Sequence, residues 1–385
     1  VTSGVRTIRE RLMKRQFLLV SAALSLAVLW ALWFAPPAQA RGNASGSARN
    51  PAGVAWKFAA SGDSRNCGDV VMPAIARGVK KSGALFYWHL GDFRKIISAD
   101  EDIQHLPAYR SLPLSISEYQ QIAWTDFINS QISPFGTLPV YLSIGNHEMV
   151  PPKTRAQFLT QFSHWLNAPN LHIQRLRDDP TDRKPKTYYH WSKAGVDFIS
   201  LDNATRDQFD EKQLAWFEKA LRSDSADRRI RTIVVSMHEA LPDSIAENHS
   251  MNQSPTGIES GRRVYADLLR ARDQGHKHVY VLASHPHYFL DGVFNTDYWR
   301  QHGGVLPGWI VGTAGAERYA LPEKATSARA AKTNVYGFLL GTVSPGGEIR
   351  FTFQRVKESD IPAPVAQRYT SDFVHWCFAE NSAAR

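Results

Sequence analysis

With 385 residues and 43% hydrophobic content, the chain can build one large α/β domain or two modest ones, and its 21% charged residues exclude a disordered composition. The formal net charge of +9 falls to +5 once the first forty residues are set aside, because five Lys/Arg and one acid lie there. No basic run exceeds three residues, so nucleic acid is not an expected partner.

The stretch MKRQFLLVSAALSLAVLWALWFAPPAQA has a basic start, an uncharged run from Phe17 to Ala35, and then Ala38-Gln39-Ala40. That order predicts a signal peptide over 1–40 with cleavage after Ala40, and hence a secreted or periplasmic protein. The alternative is an uncleaved membrane anchor, since a run of 19 residues is within spanning range. An anchor of that kind is the only membrane contact expected. Residues 41–53, small and polar, read as a linker. Cys67 and Cys377 are the only cysteines, and an oxidising compartment would let them pair. Their spacing says nothing about their distance, so pairing stays open.

From residue 54 the pattern alternates. Apolar, β-rich runs occur at 54–60, 84–90, 139–144, 195–201, 231–237, 278–283, 308–312 and 335–343. Helical periodicity lies between them at 69–81, 210–223 and 261–273; in the second of these Leu214, Phe217 and Leu221 share a face. Such alternation predicts a parallel or mixed sheet covered by helices. Residues 96–138 are an excursion with a helical stretch near 117–130. Residues 335–356 read as a hairpin turned at Ser344-Pro345-Gly346-Gly347. The tail 357–385 has no readable pattern, which leaves 54–356 as the expected catalytic domain.

The predicted strands end in polar groups. Asp63 follows the first, Asp92 the second, and Asn146-His147-Glu148 the third; His238 follows the run at 231, and His285 and His287 the run at 278. In α/β sheets the carboxyl ends of the strands line the ligand crevice. Each residue alone has an ordinary reading as a turn, a cap or a structural histidine. Together they form a mixed oxygen–nitrogen donor set that suits Fe, Mn or Zn, and they are numerous enough for two ions.

Gly-Asp, Gly-Asp, Gly-Asn-His-Glu, His and His-x-His, in that order, resemble the calcineurin-like metallophosphoesterases, including the purple acid phosphatase branch, over roughly 55–356. The resemblance implies a four-layer α/β/β/α sandwich with two mixed sheets. It implies that Asp92 bridges two ions, that Asn146, His238 and His285 complete one site, and that Asp63 and His287 bind the other. His147 would donate a proton to the leaving group or clamp the transition state, with Glu148 orienting its ring.

The sequence also departs from the family. Where many members have a ligating His two residues after the first Asp, this chain has Arg65, and where the purple acid branch has a Tyr three residues after the bridging Asp, it has Lys95. The last motif opens with Ser284 in place of Gly. The first site therefore lacks a familiar fourth ligand, and Asn66 or Cys67 are candidates to supply one. Arginine has no lone pair to give a metal, so Arg65 is expected to turn away from the ion and toward a substrate phosphate. Arg94 and Lys95 read equally as a basic rim or as solvated surface.

The expected function is an exported phosphoesterase acting on small phosphorylated substrates, monoesters first and diesters second, through a water activated between two ions. The alternative is a weakly catalytic or non-catalytic module that binds a phosphate ligand through a depleted metal site.

Overall fold

The computed structural model describes residues 54–205 and 208–382. The expected signal segment and linker lie outside the described residues. Among the described residues no helix is long and apolar enough to cross a membrane.

Two mixed sheets form the body. The first has five strands in the order β12-β11-β1-β2-β3, with β1 (Trp56–Ser61), β2 (Tyr87–His89) and β3 (Val140–Leu142) parallel and the hairpin β11 (Tyr336–Val343) and β12 (Ile349–Val356) antiparallel beside β1. The second has seven strands in the order β10-β8-β9-β7-β6-β5-β4. Its parallel centre is β5 (Val196–Ser200), β6 (Thr232–Ser236), β7 (His278–Ala283) and β9 (Gly308–Val311), and its antiparallel edges are β4 (Tyr189–Lys193), β8 (Phe289–Asp291) and β10 (Ala330–Lys332).

Strand alternation builds two cores at once. Phe198, Val234, Tyr280, Leu282, Trp309 and Val311 of the second sheet point at the first, into a core with Phe58, Phe86 and Trp191. Phe58 meets Phe198 edge-on at 5.0 Å, and Trp309 lies 4.3 Å from Phe351. Their neighbours Ile199, Ile233, Val235, Val279, Val281 and Ile310 point the other way, into a second core with Leu214, Phe217, Leu221, Val264 and Leu268 of the outer helices. This is the four-layer sandwich expected from the sequence.

The helices follow from local signals. α1 (Gly68–Ser82) covers the first sheet and stops at Gly83, whose φ of 72° is left-handed. α2 (Ile116–Asp126) begins with Ser115, which caps the Glu118 N–H while the Glu118 carboxylate accepts from the Ser115 N–H. α3 (Pro169–Asp178) packs beside β4. Asp210 caps α4 (Glu211–Ala226) through the Gln213 N–H at 2.9 Å. α5 (Pro255–Asp273) starts six residues before the predicted 261, where Ser254 caps and Pro255 takes the first turn.

The tail, unreadable in sequence, forms α6 (Ala363–Tyr369) and α7 (Ser371–Ala379). Cys377 of α7 is disulfide-bonded to Cys67, with Cα atoms 6.0 Å apart and a sequence separation of 310. The Tyr369 hydroxyl donates to Asp69 Oδ2 at 2.7 Å, and Asn381 Nδ2 donates to the Tyr336 hydroxyl at 2.8 Å.

Candidate metal centre

All five predicted polar strand ends stand at the carboxyl ends of parallel strands: Asp63 after β1, Asp92 after β2, Asn146 after β3, His238 after β6 and His285 after β7. Three of them are in the left-handed region, with φ of 60° at Asp63, 59° at Asp92 and 66° at His285. That conformation is uncommon for residues other than glycine and clusters at functional sites. The glycines beside them allow close approach. A Cβ on Gly91, whose φ is 100°, would lie 2.9 Å from His238 Nδ1, and one on Gly145 would collide with Asp92 Oδ1.

Backbone hydrogen bonds lock the ends together. The His285 N–H donates to Asp63 Oδ2 at 2.8 Å, and the His147 N–H donates to Asp92 Oδ1 at 3.0 Å. Leu90, which ends the β2 run, gives its carbonyl to the second sheet. His238 Nδ1–H reaches it at 3.0 Å and the Ser284 hydroxyl at 3.0 Å. Ser284, which stands where the family has Gly, thus supports the His238 ring.

With Nδ1 spent on Leu90, His238 Nε2 faces Asn146 Oδ1 at 3.0 Å, His285 Nδ1 at 3.2 Å and Asp92 Oδ1 at 3.3 Å. Four lone-pair atoms facing one another repel unless a proton or a cation stands among them. Asp92, His238 and His285 also bring ligand atoms within 4.8 Å of one another. Without a metal, a proton takes that role. Burial works against charge at His238, yet Asp92, with Asp63 and the Leu90 carbonyl behind it, holds its pKa up to about 10. Burial likewise opposes ionisation of Asp92, but His238, His147 and Arg65 keep it well below the usual carboxylate range. Burial, and the neighbouring His238, push His285 well below the usual imidazole range. One carboxylate, one amide and two imidazoles therefore fit a Mn, Fe or Zn ion.

The other expected position differs. His287 turns Nδ1–H to the Glu317 carbonyl at 2.5 Å, and His147 turns Nδ1–H to the Lys95 carbonyl at 2.5 Å. Both leave Nε2 as an acceptor, and both are met by Arg65, Nη2 lying 2.6 Å from His287 Nε2 and Nη1 bonding His147 Nε2. Arg65 Nε lies 3.8 Å from Asp92 Oδ2, and the residue is only 7% exposed. Arg65 is thus turned into the first site, contrary to the expectation that it would face away. The charge of Asp92 and Asp63 and two imidazole lone pairs draw it in. Burial, and then Arg65 itself, lower the His287 pKa to about 4, while Asp63, despite burial, is held at about 2 by His287, whose Nε2 lies 3.3 Å from its Oδ1, and by the charge of His238.

Other expectations are corrected. Glu148 does not orient the His147 ring. It lies fully buried, Oε2 accepting from the Asp92 N–H at 2.9 Å and the Gly145 N–H at 2.8 Å, and Oε1 from the Phe93 N–H at 2.9 Å. Cys67 offers no thiolate, being disulfide-bonded, and the Asn66 amide is spent on Glu101 Oε2 at 2.6 Å and the Glu317 N–H at 3.2 Å. Arg94 is no rim residue. It is fully buried and paired with Asp69, Asp102 and Asp126. Lys95 pairs with Glu101 at 3.4 Å.

Two side chains at the site had no motif in the sequence. The Tyr319 ring lies 4.0 Å from that of His287, and the His249 ring lies 5.6 Å from that of His285. Among the described residues the pattern is thus one cluster that fits a metal ion, with a buried guanidinium beside it.

No family model matches the chain, and no curated protein is similar to it in sequence. Among solved structures, the purple acid phosphatase PPD1 from yellow lupin (Lupinus luteus) seeds superposes with a TM-score of 0.52 at 15% identity, over 79% of this chain and 52% of that one. The chain therefore spans about half the length of the lupin protein. PhoD gives a TM-score of 0.45 at 12% identity over 79% of this chain and 72% of its own, and a Mycoplasma pneumoniae phosphatase gives 0.40 at 11% over 79% and 94%. The lupin likeness shows a shared fold, the two-sheet α/β sandwich expected from the sequence.

Proposed function

We propose that the chain is a metal-dependent phosphoester hydrolase that takes small phosphorylated substrates, monoesters before diesters. The observation that carries this reading is the convergence of Asp92 Oδ1, Asn146 Oδ1, His238 Nε2 and His285 Nδ1 beside the buried Arg65. A divalent ion held there would polarise a phosphate oxygen and acidify water. The chain's own groups supply the rest. Arg65 has N–H donors beyond the two its imidazole partners take, and a planar fork of that kind matches phosphate oxygens. His147 keeps Nδ1–H on the Lys95 carbonyl, so Nε2, on giving up its bond from Arg65 Nη1, is the atom that would carry a proton to a leaving oxygen. Burial, and then the nearby Arg65 against the pull of Asp92, lower its pKa.

Export is part of the same reading. The Cys67–Cys377 disulfide supports it, because such bonds persist in oxidising compartments, and so does the signal pattern over 1–40. Amino-terminal sequencing of protein from the native host tests it, with Arg41 as the expected first residue.

The activity is tested by pairing elemental analysis of the purified chain with a panel of aryl and alkyl phosphate mono- and diesters. Metal-dependent turnover supports the proposal. Metal bound without turnover of any ester above the level of Asp92→Ala rejects it in favour of a phosphate-binding module.

A further inference from the structure

We infer, resting on the phosphoester-hydrolase reading, that the Arg65 guanidinium permanently takes the place of one of two catalytic ions, so that the centre works with one bound metal and one built-in cation. Two of the donors expected to hold the first ion, His287 and Asp92, and the expected proton donor His147 are arranged around this side chain. His287 Nε2 accepts from Nη2 at 2.6 Å, His147 Nε2 accepts from Nη1, and Asp92 Oδ2 lies 3.8 Å from Nε. Neither imidazole meets Arg65 by rotation alone. The Glu317 and Lys95 carbonyls fix both rings with Nε2 as an acceptor, the form that would otherwise face a metal.

Three observations make this position unsuited to an ion. A guanidinium stays charged and offers no lone pair, so an ion beside it meets like charge across the shared Asp92. The candidates to complete a coordination shell are spent, Cys67 in a disulfide and Asn66 on Glu101 and Glu317. The loop is also pinned, since the Asn66 N–H donates to Asp100 Oδ1 at 2.7 Å and the Cys67 N–H to the Gly315 carbonyl at 3.1 Å. On the other side of Arg65 the Ser64 N–H donates to the Asp92 carbonyl at 3.0 Å, so the side chain leaves a backbone that is anchored on both sides.

The substitution changes what the position can do. A guanidinium cannot acidify water by coordination, so Arg65 contributes charge and geometry only. Its imidazole partners take two of five N–H donors, and Nε–H has no hydrogen-bond partner among the described residues. The remaining donors can hold phosphate oxygens. The ligand class is a phosphoryl group gripped between the fork and the ion on Asp92, Asn146, His238 and His285.

The competing arrangement is an ion that expels Arg65 and claims Asp63 Oδ1 and Asp92 Oδ2, two buried oxygens without a hydrogen bond among the described residues. Metal counting separates the two without reference to turnover. The full chain is stripped, reloaded with Mn²⁺, and examined by elemental analysis and electron paramagnetic resonance. The expected result is about one ion per chain with an uncoupled six-line spectrum. R65H restores a ligating side chain and is expected to bring the count to about two, with an exchange-coupled signal, while inhibition by inorganic phosphate weakens roughly ten- to a hundredfold. Two coupled ions in the unaltered chain, or none, overturn the inference, and that count stands whether or not R65H folds. One ion without ester turnover would sink the hydrolase reading and leave the ion count intact. Two coupled ions with turnover would do the reverse.

Discussion

Glu148 and Asp92 are joined through the backbone: Glu148 Oε2 accepts the Asp92 N–H at 2.9 Å and, on its other side, the Gly145 N–H at 2.8 Å. One carboxylate thereby fixes the left-handed turn of Asp92 against the strand end that carries Asn146. Burial and the nearby Asp92 push the Glu148 pKa up to about 8, against three N–H donors that favour its charged form. Glu148→Gln would set an amide –NH₂ against backbone N–H groups. Metal affinity is expected to fall roughly ten- to a hundredfold, as for other groups that orient ligands. Titration with Mn²⁺ checks it, and unchanged affinity would mean the turn holds itself.

Asp92 is the candidate ligand with least tolerance, because it belongs to the four-donor cluster and also borders the Arg65 pocket. Asp92→Asn keeps the shape and removes the charge. It is expected to release most of the bound metal and to lower turnover by at least roughly 10³-fold, the scale at which lost charge stabilisation is felt. Elemental analysis and ester kinetics are the measurements. Near-normal values in both would remove Asp92 from the centre.

His147→Asn tests proton delivery. Its effect should depend on the leaving group, large for alkyl phosphates, roughly 10²- to 10⁴-fold in kcat/KM, and small for aryl phosphates whose leaving oxygen needs no proton. The His147 pKa lies below the usual imidazole value, so the protonated form it would need is favoured in acid, and alkyl-ester turnover should fall as pH rises toward neutrality. Equal losses on both classes would assign His147 to binding.

A fourth expectation concerns stability far from the site. His190 lies between Asp197 at 2.8 Å and Asp178 at 2.6 Å, and the Asp224 carboxyl stands near that of Asp197. Burial, and then the Asp197 charge, raise the Asp224 carboxyl from 3.8 to about 9. The folded chain thus holds a proton there that the unfolded chain gives up above about pH 4. The stability this carboxyl contributes is complete below that pH and is lost as pH climbs to about 9. Asp224→Asn keeps a neutral donor, so its advantage over the unaltered chain should grow across that window, reaching about 1–3 kcal/mol. Melting temperatures at pH 5, 7 and 9 would show it, and a constant offset would mean that Asp224 is ionised throughout.

The convergence of the polar strand ends was legible because each follows a β-rich apolar run and most sit beside a glycine that the packing requires, as at Gly91 and Gly145. The sandwich was legible from alternation and from the resemblance. Three strands were not. β8 and β10 have three residues each and, unlike the equally short β2 and β3, lie within no predicted apolar run, and β4 lies behind a charged, proline-bearing stretch. The tail helices show their purpose only once Cys377 meets Cys67 and Tyr369 meets Asp69. The placements of Arg65 and Glu148 were misread for one reason: both depend on which groups lie across from them, imidazoles for Arg65 and backbone N–H groups for Glu148, which spacing along a chain does not encode. Arg94 was misjudged likewise, since its carboxylate partners come from 69, 102 and 126.

The candidate ligand cluster is divided between layers. Asp92 and Asn146 come from the first sheet, His238 and His285 from the second, and the aromatic core lies between the sheets. A cation bound across that seam resists separation of the two halves, so the centre is also a rivet. Its hold on the fold grows with the logarithm of free metal above the dissociation constant. Scarcity of metal would then loosen the sandwich at its upper edge while the hydrophobic seam below stayed closed, and susceptibility to proteases would become a measure of metal supply.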